Sequence, residues 1–591
     1  MSSLLGATPL GDGGTEFVVW APRAREVELH VVEPEQTVVK MDSGERRYRR
    51  AVVEGVGEGA RYLFRLDGRD LPDPASRFQP ESVHGPSEVI DPLRFRWTDE
   101  EWGGIALFDL VIYELHVGAF TTDGTFDAVV PHLDELADLG ITAVEIMPVA
   151  QFPGSRNWGY DGAFPFAVQD SYGGPAGLQR LVDECHRRGL AVVLDVVYNH
   201  FGPEGNVLGE YGPYFTDRYR TPWGGAINFD GPGSDEVRRY FIENALRWSD
   251  EFHVDALRLD AIHGIVDTSA RPFLQELSEA ADAHDRPLLL IAETDQNDAR
   301  VVAPRDRGGL GLHAQWSDDF HHALHAYVTG ERQGYYEDFG SLEQLGTAYR
   351  EGFVYSGQYS PFRGRQFGSS SRAIPGERLV VFAQNHDQVG NRSTGDRLSS
   401  TLSTEHLKLI AGVLLLAPFV PLLFMGEEYG ELAPFQYFVG HTDPDLVENV
   451  RRGRREEFAS FGWADDVPDP QDETTFESSK LDHRLKHKEP HASILALYRD
   501  LLRIRKDHPA LRSLDRTTMD VATDKDRALM TVHRKAGAHE ALAVFNFGTN
   551  EQEVSLPAGE WTVLMGSTNG PPAHARGVSF VVLSKTEGDR P

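Results

Sequence analysis

The chain has 591 residues, 40% of them hydrophobic, with 91 acidic against 58 basic side chains and a formal net charge of −33. This length exceeds one ordinary core and implies several domains of a soluble globular protein, while the charge excludes nucleic acid and anionic membranes as partners, since both would be repelled. Cys185 is the only cysteine, which excludes an intramolecular disulfide and a cysteine-based zinc site and fits a reducing cytoplasm.

The N-terminal stretch "MSSLLGATPLGDGG" has neither the basic region nor the apolar run of a secretory signal, so a cytoplasmic location is expected. Residues 1–95 then read as a β-sandwich: "EFVVWAP", "EVELHVV" and "ARYLFRLDG" alternate apolar and polar positions between Gly and Pro punctuation. "LPDPASRFQP" reads as a surface linker.

From Leu110 the rhythm changes. Eight strand candidates, "VIYELHVGAF", "TAVEIMPV", "AVVLDVVYNH", "ALRLDAIH", "LLLIAETD", "LHAQWSD", "RLVVFAQNHD" and "PLLFMGEE", alternate with amphipathic helix candidates. Among these are "FDAVVPHLDELADLG", "GLQRLVDECHRRGL" and "SDEVRRYFIENALRW", the last with Val237, Phe241, Ala245 and Trp248 at helical spacing. Eight such units imply a (β/α)8 TIM barrel over 96–512 with an inserted loop at 201–233, although a doubly wound open sheet gives a similar pattern. The apolar run Leu409 to Met425 is broken by Pro418 and Pro421, so a buried helix followed by a buried strand is expected there rather than a membrane span. "SILALYRDLLRIRKDH" is the expected last barrel helix. "ALMTVHRKAG", "EALAVFNFG" and "SFVVLS" describe a C-terminal antiparallel β-domain over 513–591. The fold class is thus multidomain α/β, a TIM barrel flanked by two β-domains.

Polar residues gather at the C-terminal ends of the strand candidates: Glu114, His116, Asn199, His200, Asp260, Glu293, Asp318, Asp387 and Glu427. A barrel sets all such ends around one mouth. In "ALRLD", alternation puts Leu257 and Leu259 on one face and Ala256, Arg258 and Asp260 on the other. Two opposite charges then share an interior face, as a structural ion pair or as catalytic machinery. Asp260, Glu293 and Asp387 could each cap the helix that follows. Crowded at one mouth they cannot all ionise freely, so one becomes a proton donor beside a charged neighbour. Arg258 favours the charged form of Asp260, which makes Asp260 the natural nucleophile and Glu293 the natural acid of a glycoside-cleaving pair. Aromatics in "RNWGYDGAFPF" and "YFTDRYRTPWGG" either stack on sugar rings or anchor loops. His200 and His386 lack metal-ligand spacing, and no phosphate loop or dinucleotide fingerprint is present. No cofactor is therefore expected, and a neutral oligosaccharide is the expected partner.

Four motifs in order, "DVVYNH", "ALRLDAIH", "IAETD" and "FAQNHDQVG", resemble those of the α-amylase family of glycoside hydrolases. The resemblance implies Asp260 as nucleophile, Glu293 as acid/base and Asp387 as the acid that grips ring hydroxyls before the scissile bond. It implies Asn199, His200, Arg258 and His386 as supporting residues, and Tyr160 and Asp161 as the pair that cradles the same ring. The N-terminal sandwich and the stretches beginning "YELHVGAF", "YGPYFTDRYR" and "QWSDDFHHAL" are similar to the trehalohydrolases of that family, which implies hydrolysis of the α-1,4 bond beside the terminal trehalose of malto-oligosyltrehalose. On that resemblance Trp223, Phe362 and Arg363 are candidates for recognising trehalose, and a malto-oligosyltrehalose synthase is the expected pathway partner of a monomeric enzyme. Relatives in the wider family often bind calcium at the asparagine matching Asn199. No metal is expected here, calcium being the exception to watch for. A branching or debranching enzyme and a non-catalytic polysaccharide-binding protein are the alternatives.

Overall fold

The computed structural model describes residues 4–11, 13–222, 224–459, 467–568 and 574–586. Strands Ile112–Leu115, Ala143–Ile146, Ala191–Val196, Ala256–Leu259, Leu289–Ala292, Ala314–Trp316, Leu379–Phe382 and Val420–Phe424 close in chain order into a parallel barrel, sealed where Ile112 pairs with Leu422. These are the eight strands read from the sequence, and closure rules out the open sheet. Strand alternation divides their side chains. Ala143, Val193, Ala256, Ile291, Ala314, Val380 and Leu422 fill the barrel interior with Trp316 and Phe382, while Leu257 and Leu259 face the helix layer and join the larger core.

The helix layer follows the expected apolar stripes. Helix Ser234–Phe252 begins after Gly233 with Asp235 and Glu236 in its first turn, buries Val237, Phe241, Ala245 and Trp248, and stops at His253 in the left-handed conformation (φ 54°). One expected helix is not continuous. "FDAVVPHLDELADLG" forms helix Phe126–Val129, a tight turn Val130–His132 and helix Leu133–Leu139, because Pro131 has no N–H to continue the ladder. The run at 409–425 divides into helix Thr404–Leu415 and the eighth barrel strand. Among the described residues no helix is long and apolar enough to cross a membrane.

Two small sheets precede the barrel. Gly6–Pro9, Gly14–Trp20, Tyr48–Glu54 and Asp42–Ser43 form one; Thr37–Lys40, Val27–Glu33, Arg61–Leu66 and Arg69–Leu71 form the other. Phe17 and Tyr62 meet between them with ring centroids 4.9 Å apart. This sandwich is fastened to the barrel by polar and aromatic contacts. Arg77 pairs with Glu251 at 2.9 Å, Tyr240 Oη donates to the Pro74 carbonyl at 2.7 Å, and Trp20 packs edge-on against Tyr214 at 5.3 Å. Tyr214 belongs to the segment after the third barrel strand, which holds helix Leu208–Tyr211 and the hairpin Phe215–Thr221/Gly224–Ile227.

After helix His491–Asp507, five antiparallel strands form the C-terminal sheet in the order Met519–Asp524, Leu529–Ala536, His539–Asn546, Ser579–Thr586, Thr562–Gly566. Phe580 of this sheet presses on helix Thr404–Leu415 at Gly412, where a Cβ would lie 2.7 Å from its ring.

Candidate active site

The interior face of the fourth strand carries Ala256 and Arg258, and Asp260 follows at its mouth. Register sets Arg258 directly beside Asp195 of the third strand. Arg258 is fully buried, and its Nη1 donates to Asp195 Oδ2 at 2.8 Å and to Asp260 Oδ1 at 2.9 Å. Its guanidinium also lies over the Trp316 ring at 4.4 Å. Burial lowers the pKa of Arg258, but Asp195, Tyr160 and Asp260 more than offset this and raise it. Burial pushes Asp195 up to about 6 against the pull of Arg258.

The other oxygen of Asp260 accepts from Asn199 Nδ2 at 2.6 Å, and the same amide donates to the Asp260 carbonyl at 2.8 Å. Both carboxylate oxygens are thereby fixed. Glu293, one residue past the fifth strand, accepts from the Ala261 amide at 2.5 Å through Oε2, and the same oxygen lies 3.7 Å from Arg258 Nη2. Burial pushes Glu293 well above the usual carboxylate range, reinforced by Asp260, Asp318 and Asp387 and opposed by Arg258. Adjacent strands thus present a carboxylate paired with an arginine and a carboxyl that burial disposes to hold its proton.

A second chain of bonds holds the seventh-strand segment. His386 Nδ1 donates to Glu114 Oε1 at 2.6 Å, while its backbone N–H donates to Glu114 Oε2 at 2.9 Å. Tyr160 Oη donates to Asp195 Oδ2 at 2.6 Å, so at 2.7 Å it accepts from His386 Nε2, and the two rings stack with centroids 5.2 Å apart. Burial works against the charge on His386, but Asp387 and Glu114 push it up to about 9. Asp387 is open to the mouth, 3.6 Å from His386 Nε2, with Oδ1 accepting from Asn391 Nδ2 at 3.1 Å. Beneath it Trp158 meets His386 edge-on at 5.8 Å.

His200 Nε2 donates to the Tyr160 carbonyl at 3.0 Å while Nδ1 bonds the Asn199 side-chain oxygen. Asp161 accepts from Asn157 at 2.8 Å, with His441 Nε2 at 3.7 Å. The acids after the third strand turn elsewhere: Glu204 accepts from Thr442 and Asp230 from Tyr219 and Thr268. Among the described residues no three His, Cys, Asp or Glu side chains form a group able to hold a metal ion.

Arg363 and Phe362 sit on the Tyr359–Ser360/Arg365–Gln366 hairpin. Arg363 Nη1 donates to Asp295 Oδ2 at 2.9 Å, two residues beyond Glu293. Phe362 is 45% exposed and approaches Tyr335 at 6.5 Å. Trp223 lies outside the described residues. Glu427 departs from the cluster expected at the mouth: it turns to the helix layer, where it accepts from Tyr498 at 3.0 Å. Asp195, the main counter-charge of Arg258, was not singled out in the sequence, although an aspartate within the apolar "AVVLDV" carries the same signal as Arg258 within "ALRL".

Comparisons with known proteins agree with this geometry. Residues 90–220 match the family described as "Alpha amylase, catalytic domain", and residues 4–92 match "Carbohydrate-binding module 48 (Isoamylase N-terminal domain)". The malto-oligosyltrehalose trehalohydrolase of Saccharolobus solfataricus is 48% identical over 84% of this chain and 86% of its own. That of Arthrobacter ramosus is 46% identical over 88% and 91%. A crystal structure from Salmonella typhimurium described as an alpha amylase superposes with a TM-score of 0.91 and 39% identity, covering 98% of this chain and 99% of that one. A Bacillus subtilis pullulanase, 19% identical, shares the fold at a TM-score of 0.76, covering 99% of this chain and 86% of its own. The chain belongs to the α-amylase family of glycoside hydrolases and, within it, to the malto-oligosyltrehalose trehalohydrolases.

Proposed function

We propose that this protein is a retaining glycoside hydrolase that cleaves the α-1,4-glucosidic bond next to the terminal trehalose of malto-oligosyltrehalose, releasing trehalose and a maltooligosaccharide. The observation that carries the reading is the pairing of Asp260, held by Arg258, with Glu293, whose pKa burial raises, at the ends of neighbouring strands. Glu293 protonates the glycosidic oxygen as Asp260 attacks the anomeric carbon; the glycosyl-enzyme is then opened by water that gives its proton to the ionised Glu293. Asp387 grips hydroxyls of the distorted ring, an interaction that strengthens as positive charge develops. Tyr160, Asp161, His200 and His386 hold that ring, and Arg258 holds Asp260 in place through its Nη1 hydrogen bond.

Trp223, Phe362 and Arg363 are the residues that recognise trehalose. Support comes from the hairpin that ties Arg363 to Asp295 beside Glu293. The names of the S. solfataricus and A. ramosus relatives point to the same substrate. We further infer domain limits at 1–95, 96–512 and 513–591, a cytoplasmic monomer, and a malto-oligosyltrehalose synthase as the source of substrate.

Chromatography of products from maltotriosyltrehalose, with maltopentaose and amylopectin as separate controls, tests the reading. Trehalose released far faster than any control product is the expected result. Altered branching of amylopectin with the trehalosyl substrate intact would make the protein a branching or debranching enzyme, and no product anywhere would leave a binding protein.

A further inference from the structure

A histidine to which the cycle above gives no task is wedged between two carboxylates, one of them in the sugar site. His441 lies on the segment after the eighth strand, and its side chain is 1% exposed. Nε2 stands 3.7 Å from Asp161 Oδ2, and Nδ1 stands 3.4 Å from Glu204 Oε2. Glu204 is itself fixed. It accepts from the Thr442 amide at 2.9 Å and from the Thr442 hydroxyl, while His84 of the N-terminal sandwich meets Oε1 at 3.3 Å. The turn that carries His84 presses on the same loop: a Cβ at Gly205 would lie 2.4 Å from Val83 Cβ.

Asp161 is held from several directions. Its carbonyl lies so close to Gly202 that a Cβ there would come within 2.0 Å of it, and its Oδ2 accepts from Asn157 Nδ2 at 2.8 Å. His441 adds a further contact to that oxygen. Among the described residues Oδ1 accepts no hydrogen bond, so one oxygen is tied to the protein and the other is open to a sugar hydroxyl. Carboxylate oxygens only accept, so the ring serves Asp161 as a donor. At 3.7 Å the contact exceeds hydrogen-bond length, and site contacts of this kind commonly tighten when substrate binds.

We propose that His441 is a positioning residue that fixes the Asp161 carboxylate for the bound sugar, with Glu204 as its anchor. This rests on the reading that Asp161 cradles the glucose before the scissile bond. The test measures kcat and KM on maltotriosyltrehalose for His441→Ala, His441→Gln, His441→Asn, Asp161→Ala and the double variant Asp161→Ala/His441→Ala, with thermal unfolding read beside the kinetics.

His441→Ala should lose about 10- to 100-fold in kcat/KM, as expected for a lost hydrogen-bonding partner of a charged group. In the Asp161→Ala background the same change should cost less than about 2-fold, because its target is gone. Glutamine brings its amide nitrogen near the place of Nε2 and should restore most of the loss; asparagine, whose amide matches Nδ1 and faces Glu204, should not. Full additivity of the two alanine changes would overturn the proposal. So would glutamine rescuing no better than asparagine, which would make the ring a prop for Glu204 and its loop. The two amide variants carry the comparison if the alanine variant does not fold. An unaltered kcat/KM in Asp161→Ala would instead remove Asp161 from the sugar site, and this proposal with it. If the unaltered enzyme cleaves only plain α-1,4-glucans, the trehalohydrolase reading falls and the same comparison is made on maltopentaose, since the ring concerned precedes the scissile bond in either substrate.

Discussion

Arg258 and Asp260, two residues apart on one strand face, form a 2.9 Å ion pair in which the arginine is fully buried and the aspartate stands at the mouth. The same Nη1 is shared with Asp195. One cation therefore serves two carboxylates, and removing either aspartate changes what the other experiences.

Asp195→Ala leaves Arg258 deep in the barrel with only the mouth-facing aspartate to balance it. Breaking a buried pair in this way costs about 3–5 kcal/mol. Denaturant unfolding should show a loss of that order, accompanied by a fall in kcat. A stability change within about 0.5 kcal/mol would mean that water, rather than Asp195, balances the arginine.

Glu293→Ala removes the proton donor, so hydrolysis of maltotriosyltrehalose should fall by about 10²–10⁴-fold. A substrate whose leaving group needs no proton, such as α-maltosyl fluoride, should be attacked at a rate far closer to that of the unaltered enzyme. Equal losses on both substrates would assign Glu293 a role other than acid catalysis.

His386 sets a pH dependence of stability. Its pKa is raised to about 9 in the fold against about 6.5 in an unfolded chain. The stabilisation is therefore fully present below about pH 6.5 and is lost as pH rises through about 9, with a magnitude of roughly 3 kcal/mol. Unfolding midpoints measured from pH 6 to pH 10 should fall across this window, and His386→Gln should flatten the fall. An equally steep fall in the glutamine variant would point to another group.

Two glycines separate function from stability. A Cβ at Gly390, the last residue of helix His386–Gly390, would lie 2.0 Å from the Trp158 ring that supports His386. Gly390→Ala must displace that ring, and a shift near the reacting groups of about an ångström lowers kcat on the order of 10²-fold. Gly412→Ala meets Phe580 at the contact with the C-terminal sheet, where overpacking should cost about 1–3 kcal/mol with kcat unchanged. Paired kinetic and unfolding measurements should show these opposite patterns; a loss of kcat in the Gly412 variant would break the distinction.

The barrel was legible because each strand is a short apolar run ending in a polar residue, a pattern that backbone pairing and the mouth together require. Arg258 and Asp260 were legible as a pair because their relation is local, a matter of strand alternation. Asp195 and Glu114 were not, because their partners lie 63 and 272 residues away and depend on strand register and barrel closure. Glu427 shows the converse limit: its place after the eighth strand suggested the mouth, but Tyr498 on helix His491–Asp507 draws it to the outer layer. The break at Pro131 was visible as a residue, yet the apolar stripe on both sides read as one helix.

The most direct test of the central claim is proton NMR of the anomeric signals during the first turnovers of maltotriosyltrehalose. Trehalose should appear together with maltotriose whose new reducing end is initially the α-anomer, later equilibrating with β, as double displacement through Asp260 and Glu293 requires. Initial formation of the β-anomer would contradict the nucleophilic role of Asp260, and maltose with glucosyltrehalose in place of maltotriose with trehalose would contradict the site of cleavage.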